Sequence, residues 1–198
     1  MNLLIASNNK HKVTEIKAIL KDHFDNIETM EEAGIQIEVV EDGETFAQNA
    51  AKKAHEILAL SDADAVLADD SGLMVDALHG APGVYSARFA GEGHDDAANN
   101  RKLLLAMKDI PARERGCRFT TAVVLSRRGR EDLTASGFVE GRLLEAPCGE
   151  NGFGYDPLFF YEPFQKSFAQ MSAEEKNGVS HRKRALSALC ALLDREKQ

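Results

Sequence analysis

Apolar residues in this chain follow two periods that alternate along its length, and this alternation limits the fold more than any other feature. Runs such as Leu3, Leu4 and Ile5, or Ala65, Val66 and Leu67, have the length of buried strands. Between them, Val13, Ile16, Ile19 and Leu20 recur at helical spacing, as do Ala185, Leu186, Leu189, Leu192 and Leu193 near the end. The pattern predicts a strand over 3–6, a turn over 7–9 and a helix over 10–21. A strand over 35–40 and a helix from Thr45 to about Ala59 follow, the helix opened by a Thr45/Gln48 capping box. Residues 65–68 form the next strand, and the glycine-rich stretch 79–93 is a loop with a short strand at most. A helix over 95–107 precedes a strand over 118–126. The "RRGR" turn leads into a second strand over 132–138, which 139–144 can extend. "PCGENGFGYDPLFF" is a turn-rich loop entering a strand, Ser172 and Glu175 form another cap, and Ser180 starts the last helix. Interleaved helices and strands give an α/β fold, and the central hairpin makes the sheet mixed.

At 198 residues, 43% hydrophobic, the chain can build one domain or one with two lobes. No apolar run reaches the roughly 20 residues that span a bilayer. The start, "MNLLIASNNK", reads as a strand and not as a signal peptide. Cys117, Cys148 and Cys190 are dispersed and odd in number, which argues against a disulfide framework or a zinc knuckle and for a reducing cytoplasm. The net charge of -8 argues against non-specific nucleic-acid binding. Basic residues nonetheless cluster in "SNNKHK", "RRGR" and "SHRKR", which suits a small anionic ligand.

Four segments carry candidate chemistry. "SNNKHK" joins a strand to a helix, so free N–H groups at a positive dipole end, with Ser7, Asn9 and Lys12, can hold a phosphate. The alternative is a capped helix with solvated lysines. "ADDSGL" places Asp69 and Asp70 side by side after an apolar run. Either this is a strand-end turn whose Asp70 and Ser71 bond their own backbone, or it is a site for a hard cation, with Glu41 of "EDGET" as a second ligand. In "GFGYDP", Phe153 can stack on a base and Asp156 accept from a base or sugar; a turn with core aromatics is the plainer reading. In "EEKNGVSHR", Lys176, His181 and Arg182 are donors near a helix start, where cations oppose the helix dipole.

Together these segments resemble the noncanonical purine nucleoside triphosphate pyrophosphatases, the inosine triphosphatase or Ham1-like family. "SNNKHK", "EDGETFAQNAAKKA", "ADDSGL", "GAPGVYSARFAG", "GFGYDPLF" and "EEKNGVSHR" occur in family order over nearly the whole chain. Asn8, Lys10 and His11 stand where other members often carry different residues, while Asn9 and Lys12 are present. The resemblance implies an elongated mixed sheet flanked by helices, one two-lobed domain with a central cleft, a cytoplasmic homodimer, and Mg²⁺-dependent release of pyrophosphate from ITP, dITP and XTP. By matched position it implies that Ser7, Asn8, Asn9, Lys10, His11 and Lys12 bind the triphosphate, with Lys53 assisting. Glu41 and Asp70 would hold magnesium, with Asp42 and Glu44 as neighbouring acids. Asp70 would be the proton acceptor and Ser71 a substrate contact. Phe153, Gly154, Tyr155, Asp156, Lys176, His181 and Arg182 would form the nucleoside pocket. Two rivals are a Maf-type pyrophosphatase acting on pyrimidine nucleotides, against which "SHR" and "FGYDP" count, and a non-catalytic nucleotide sensor, which would have no need of a proton acceptor.

Overall fold

The computed structural model describes residues 1–197, the side chain of His11 excepted. Seven strands form a mixed sheet in the order β2-β1-β3-β4-β5-β6-β7. The strands are β1 (Asn2–Ile5), β2 (Asn26–Thr29), β3 (Ala65–Val75), β4 (Gly116–Arg127), β5 (Leu133–Leu143), β6 (Phe159–Tyr161) and β7 (Lys166–Ser167). The helices are α1 (Lys10–Leu20), α2 (Phe46–Leu60), α3 (Asp96–Ala106), α4 (Ala173–Val179) and α5 (His181–Glu196). The chain divides into two compact units. One holds Met1–Asp70, Thr121–Gly137 and the chain from His181 on; the other holds Ser71–Thr120 and Phe138–Ser180.

In the first unit β1 pairs in parallel with β2 on one side and with β3 on the other. Parallel strands need long crossovers. Here α1 supplies the one from β1 to β2, and α2 lies on the path to β3. Successive strand residues point to opposite faces, so the sheet has two apolar layers. Leu3, Ile5 and Leu67 pack with Ile16 of α1 and Leu186 and Leu189 of α5. Leu4, Val66 and Ala68 pack with Ala50, Ala54 and Ile57 of α2. The expected capping box of α2 is present: Thr45 Oγ1 accepts from the Gln48 N–H at 3.2 Å, and Gln48 reaches back to the Thr45 N–H.

In the second unit β5, β6 and β7 pair antiparallel around a core that includes Leu73, Leu103, Phe119, Phe159 and Phe168. The Phe119 and Phe168 rings stack at 5.8 Å. Gly149 lets the 148–158 segment lie against the chain at Ala169, where a Cβ would meet the Ala169 carbonyl carbon at 2.4 Å.

Two expectations are corrected. Residues 35–40 form no strand. Their alternation is a burial pattern: Ile35, Ile37 and Val39 rest on the α2 cluster, and no neighbouring strand offers them a ladder. The strand that pairs with β1 at the sheet edge is instead β2, a mostly polar piece earlier in the chain. The strand at 65 does not stop at Ala68 but runs through "ADDSGL" to Val75, because buried strand surroundings outweigh the local turn preference of Asp, Ser and Gly. The 79–93 stretch is a loop as expected, with a 3₁₀ turn over Gly83–Arg88 and one bridge from Pro82 to Met74.

Candidate active site

The first-unit site is built where β1, α1, α2 and β3 meet. The chain leaving β1 folds back on itself, with Ser7 N–H donating to the Ile5 carbonyl at 3.0 Å. Ser7 Oγ then accepts from Asn9 N–H, and Asn9 Oδ1 accepts from Lys12 N–H, each at 3.2 Å. Ser7 and Asn9 thus shape the α1 N-terminus, which presents Lys12. Asn8 and Lys10 are exposed, and the His11 side chain lies outside the described residues.

Asp69 and Asp70 are separated by the pleat. Asp69 continues the Leu67 face towards α1 and α5. Its Oδ2 lies 2.9 Å from Lys12 Nζ and 3.3 Å from Arg182 Nε. Arg182 Nη1 also bonds Glu15 Oε2 at 2.9 Å, so Asp69, Arg182 and Glu15 form a buried network that the half-buried Lys12 joins. Burial alone would push the Asp69 carboxyl up, but Lys12, Arg182 and Lys53 overcome that and hold it well below the usual carboxylate range. Burial lowers the Lys12 ammonium; Asp69 opposes the shift, and Arg182 and Lys53 add to it. A further anion at Lys12 would therefore be welcome.

Asp70 continues the Ala68 face towards α2. Asn49 Nδ2 donates to its Oδ2 at 2.9 Å, and Thr121 Oγ1 donates to its backbone carbonyl at 3.0 Å. Burial, reinforced by the Glu41 charge, raises the Asp70 carboxyl to about 6 against the pull of Asn49, Lys53 and Lys12. Lys53 pairs with Glu41 and donates to the Asp69 carbonyl at 3.1 Å. Burial would depress the Lys53 ammonium, but Glu41 and Asp69 raise it.

No group of three or more His, Cys, Asp or Glu among the described residues forms a ready metal cage. Mg²⁺ does not require one, since it takes one or two carboxylates and fills its shell with waters and phosphate oxygens. Glu41 and Asp70 fit that demand. Each lies in the other's field, and a cation beside them would relieve the repulsion that helps raise Asp70.

The nucleoside residues expected to share a pocket belong to different units. In the second unit, Asp156 is buried. Its Oδ2 accepts from the Phe153 N–H at 2.9 Å and pairs with Lys176, whose Nζ lies 4.5 Å from the Phe153 ring centroid. Gly152, at φ 79°, makes room for that carboxylate. Gly154 N–H donates to Asp96 Oδ2 at 2.6 Å and its carbonyl accepts from Asn100 at 2.9 Å. The Tyr155 side chain is core: its hydroxyl donates to the Ser86 carbonyl at 2.8 Å, and burial raises its pKa. Ser71 is half-buried. His181 and Arg182 belong to the first unit and are buried. The Arg182 guanidinium pairs with two acids, Asp69 and Glu15.

Sequence reasoning overlooked Asn49 and Glu15. Both left a signal. Asn49 is a polar residue on the buried stripe of α2, beside Phe46 and Ala50. Glu15 adjoins Ile16 of the α1 core stripe, one turn after Lys12, and is buried.

A helix mouth bearing Lys12, with Lys53 and two acids beside it, is the equipment of an α/β protein that handles phosphorylated ligands. The sequence model of the Ham1 family matches residues 3–192, and the chain belongs to that family. A dITP/XTP pyrophosphatase of Clostridium perfringens is 51% identical over 94% of both chains, and one of Bacillus subtilis is 45% identical over 96% of both. The solved structure of the Staphylococcus aureus Ham1 protein superposes with a TM-score of 0.89 at 39% identity, covering 99% of this chain and 100% of its own.

Proposed function

We propose that this chain is a nucleoside-triphosphate pyrophosphatase that hydrolyses noncanonical purine nucleotides, dITP, ITP and XTP, to the monophosphate and pyrophosphate. The observation that carries the reading is the convergence of Lys12, Lys53, Glu41 and Asp70 in one unit, in a chain whose relatives bear that activity in their names. Water attacks the α-phosphorus, its oxygen forms the new P–O bond, and the bond from the α-phosphorus to the bridging oxygen breaks. Asp70, a carboxylate anchored by Asn49 in the field of Glu41 and Lys53, takes the proton of the attacking water. Lys12 and the α1 N–H groups receive the charge that develops on the departing pyrophosphate, with Lys53 alongside. Glu41 and Asp70 would hold magnesium, which when bound would supply Lewis-acid polarisation of a phosphate oxygen and a more acidic water.

Ser7, Asn8, Asn9, Lys10 and His11 are assigned to the triphosphate and Ser71 to a substrate contact. Phe153 offers a flat face and Gly154 and Tyr155 their backbone. Asp156, Lys176, His181 and Arg182 are assigned to the nucleoside. The 6-oxo group of hypoxanthine and xanthine accepts a hydrogen bond where adenine presents a donor. A donor such as Lys176 therefore discriminates against ATP by leaving two donors facing each other. A cytoplasmic homodimer completes the reading, and none of the described helices is long and apolar enough to cross a membrane.

Purified protein with Mg²⁺ and a panel of ITP, dITP, XTP, GTP, ATP and dUTP tests it, with pyrophosphate and orthophosphate measured separately. Pyrophosphate from ITP, dITP and XTP, with ATP and dUTP turned over poorly, is the expected result. Orthophosphate release, a preference for dUTP, or no turnover at all would each overturn it. Sedimentation equilibrium tests the dimer.

A further inference from the structure

Asn49 is fully buried in α2, at a stripe position where an apolar side chain would cost less. Both ends of its amide are spoken for. Oδ1 accepts from the Gly43 N–H at 2.7 Å, and Nδ2 donates to Asp70 Oδ2 at 2.9 Å. The partners fix the orientation, since an N–H must face the amide oxygen and a carboxylate the NH₂ group. Gly43 belongs to the loop that carries Glu41. That loop approaches α2 so closely that a Cβ on Gly43 would lie 2.7 Å from Asn49 Oδ1 and 2.9 Å from Gln48 Cβ. Lys53 makes the complementary link, from the Glu41 carboxylate to the Asp69 carbonyl. The Glu41 loop and β3 are thus tied twice through α2, once by an ammonium and once by an amide.

We propose that Asn49 is a positioning residue: by holding the Gly43 N–H and the Asp70 carboxylate on one amide, it sets the spacing of Glu41 and Asp70 for a divalent cation. The inference rests on the proposed function in taking those two acids as the metal pair. Groups that orient metal ligands from behind are typically worth about 10- to 100-fold in affinity or turnover.

The test measures Mn²⁺ binding to nucleotide-free protein by electron paramagnetic resonance, beside kcat and KM for ITP, in Asn49→Ala, Gly43→Ala and the double variant. Asn49→Ala removes both contacts, whereas Gly43→Ala crowds the loop away from the amide and leaves its bond to Asp70. Each single variant is expected to weaken Mn²⁺ binding and lower kcat by about tenfold or more, with KM moved by no more than about twofold. The double variant should lose less than the two single losses combined, because both changes break the tie to Gly43, although the added methyl still crowds Gln48 Cβ. A merely structural role would lower the melting temperature while leaving Mn²⁺ affinity and kcat near the parent's in folded protein, and that result overturns the proposal. If Asn49→Ala does not fold, Gly43→Ala decides alone. Should the parent release no pyrophosphate from ITP, the functional reading fails, while the Mn²⁺ comparison still judges Asn49.

Discussion

Asp70→Asn is expected to lower turnover of ITP by about two orders of magnitude or more, the usual cost of removing a general base, and at the same time to make the protein more stable. The two effects share one cause. Burial and Glu41 raise the Asp70 carboxyl to about 6, so folding stores a charge that the site disfavours. Between the usual carboxylate value near 4 and about 6, the folded state holds a proton that the unfolded chain has released. Stability in the metal-free protein therefore falls as pH rises through that window. An asparagine carries no such charge, and its carbonyl can still accept from Asn49. The expected gain at pH 7 is on the order of 1–3 kcal/mol. Thermal melts of parent and variant between pH 4 and 7, without divalent cation, should diverge upward with pH in favour of the variant. Undiminished turnover would remove Asp70 from the chemistry; parallel melts would remove the stored charge.

That adjacent acids can differ so much was only half legible in the sequence. "ADDSGL" stood out because two carboxylates after an apolar run demand compensation, and lysines were rightly sought. What the residues concealed was the pleat. Asp, Ser and Gly are turn formers locally, so local preference alone ends the strand at Ala68; in the fold it continues, and the backbone sends Asp69 and Asp70 to opposite layers. Their repulsion is met by geometry before any cation arrives. The capping boxes at Thr45 and Ser172 were readable because they are local, a hydroxyl and an acceptor three residues apart. β2 was not, since an edge strand can be polar and take its shape from β1. The partners of Arg182 were hidden for the opposite reason. A cation at a helix start asks for compensation, and Asp69 and Glu15 supply it, distant in sequence and brought near by packing α1 and β3 on α5.

Asp69→Asn should act on stability with the opposite sign from its neighbour. The Asp69 carboxylate is fully buried and offsets Lys12, Arg182 and Lys53; its folded pKa lies below the unfolded one. Its contribution is therefore present above the usual carboxylate range and lost as pH falls through and below it. Removing one partner of a buried charge network costs about 3–5 kcal/mol, because the remaining charges stay desolvated. For a chain of this size that corresponds to a fall in melting temperature on the order of 10 °C at pH 7. Arg182 keeps Glu15 in the variant, but Lys12 loses its ion-pair partner, and burial and two neighbouring cations then favour losing its proton against the weaker field of Asp70. An added anion can replace the missing carboxylate. Inorganic pyrophosphate should therefore raise the melting temperature of Asp69→Asn more than that of the parent, measured at equal concentration by scanning calorimetry. A variant as stable as the parent, or one indifferent to pyrophosphate, would show that Lys12 and Arg182 do not depend on Asp69 for their charge.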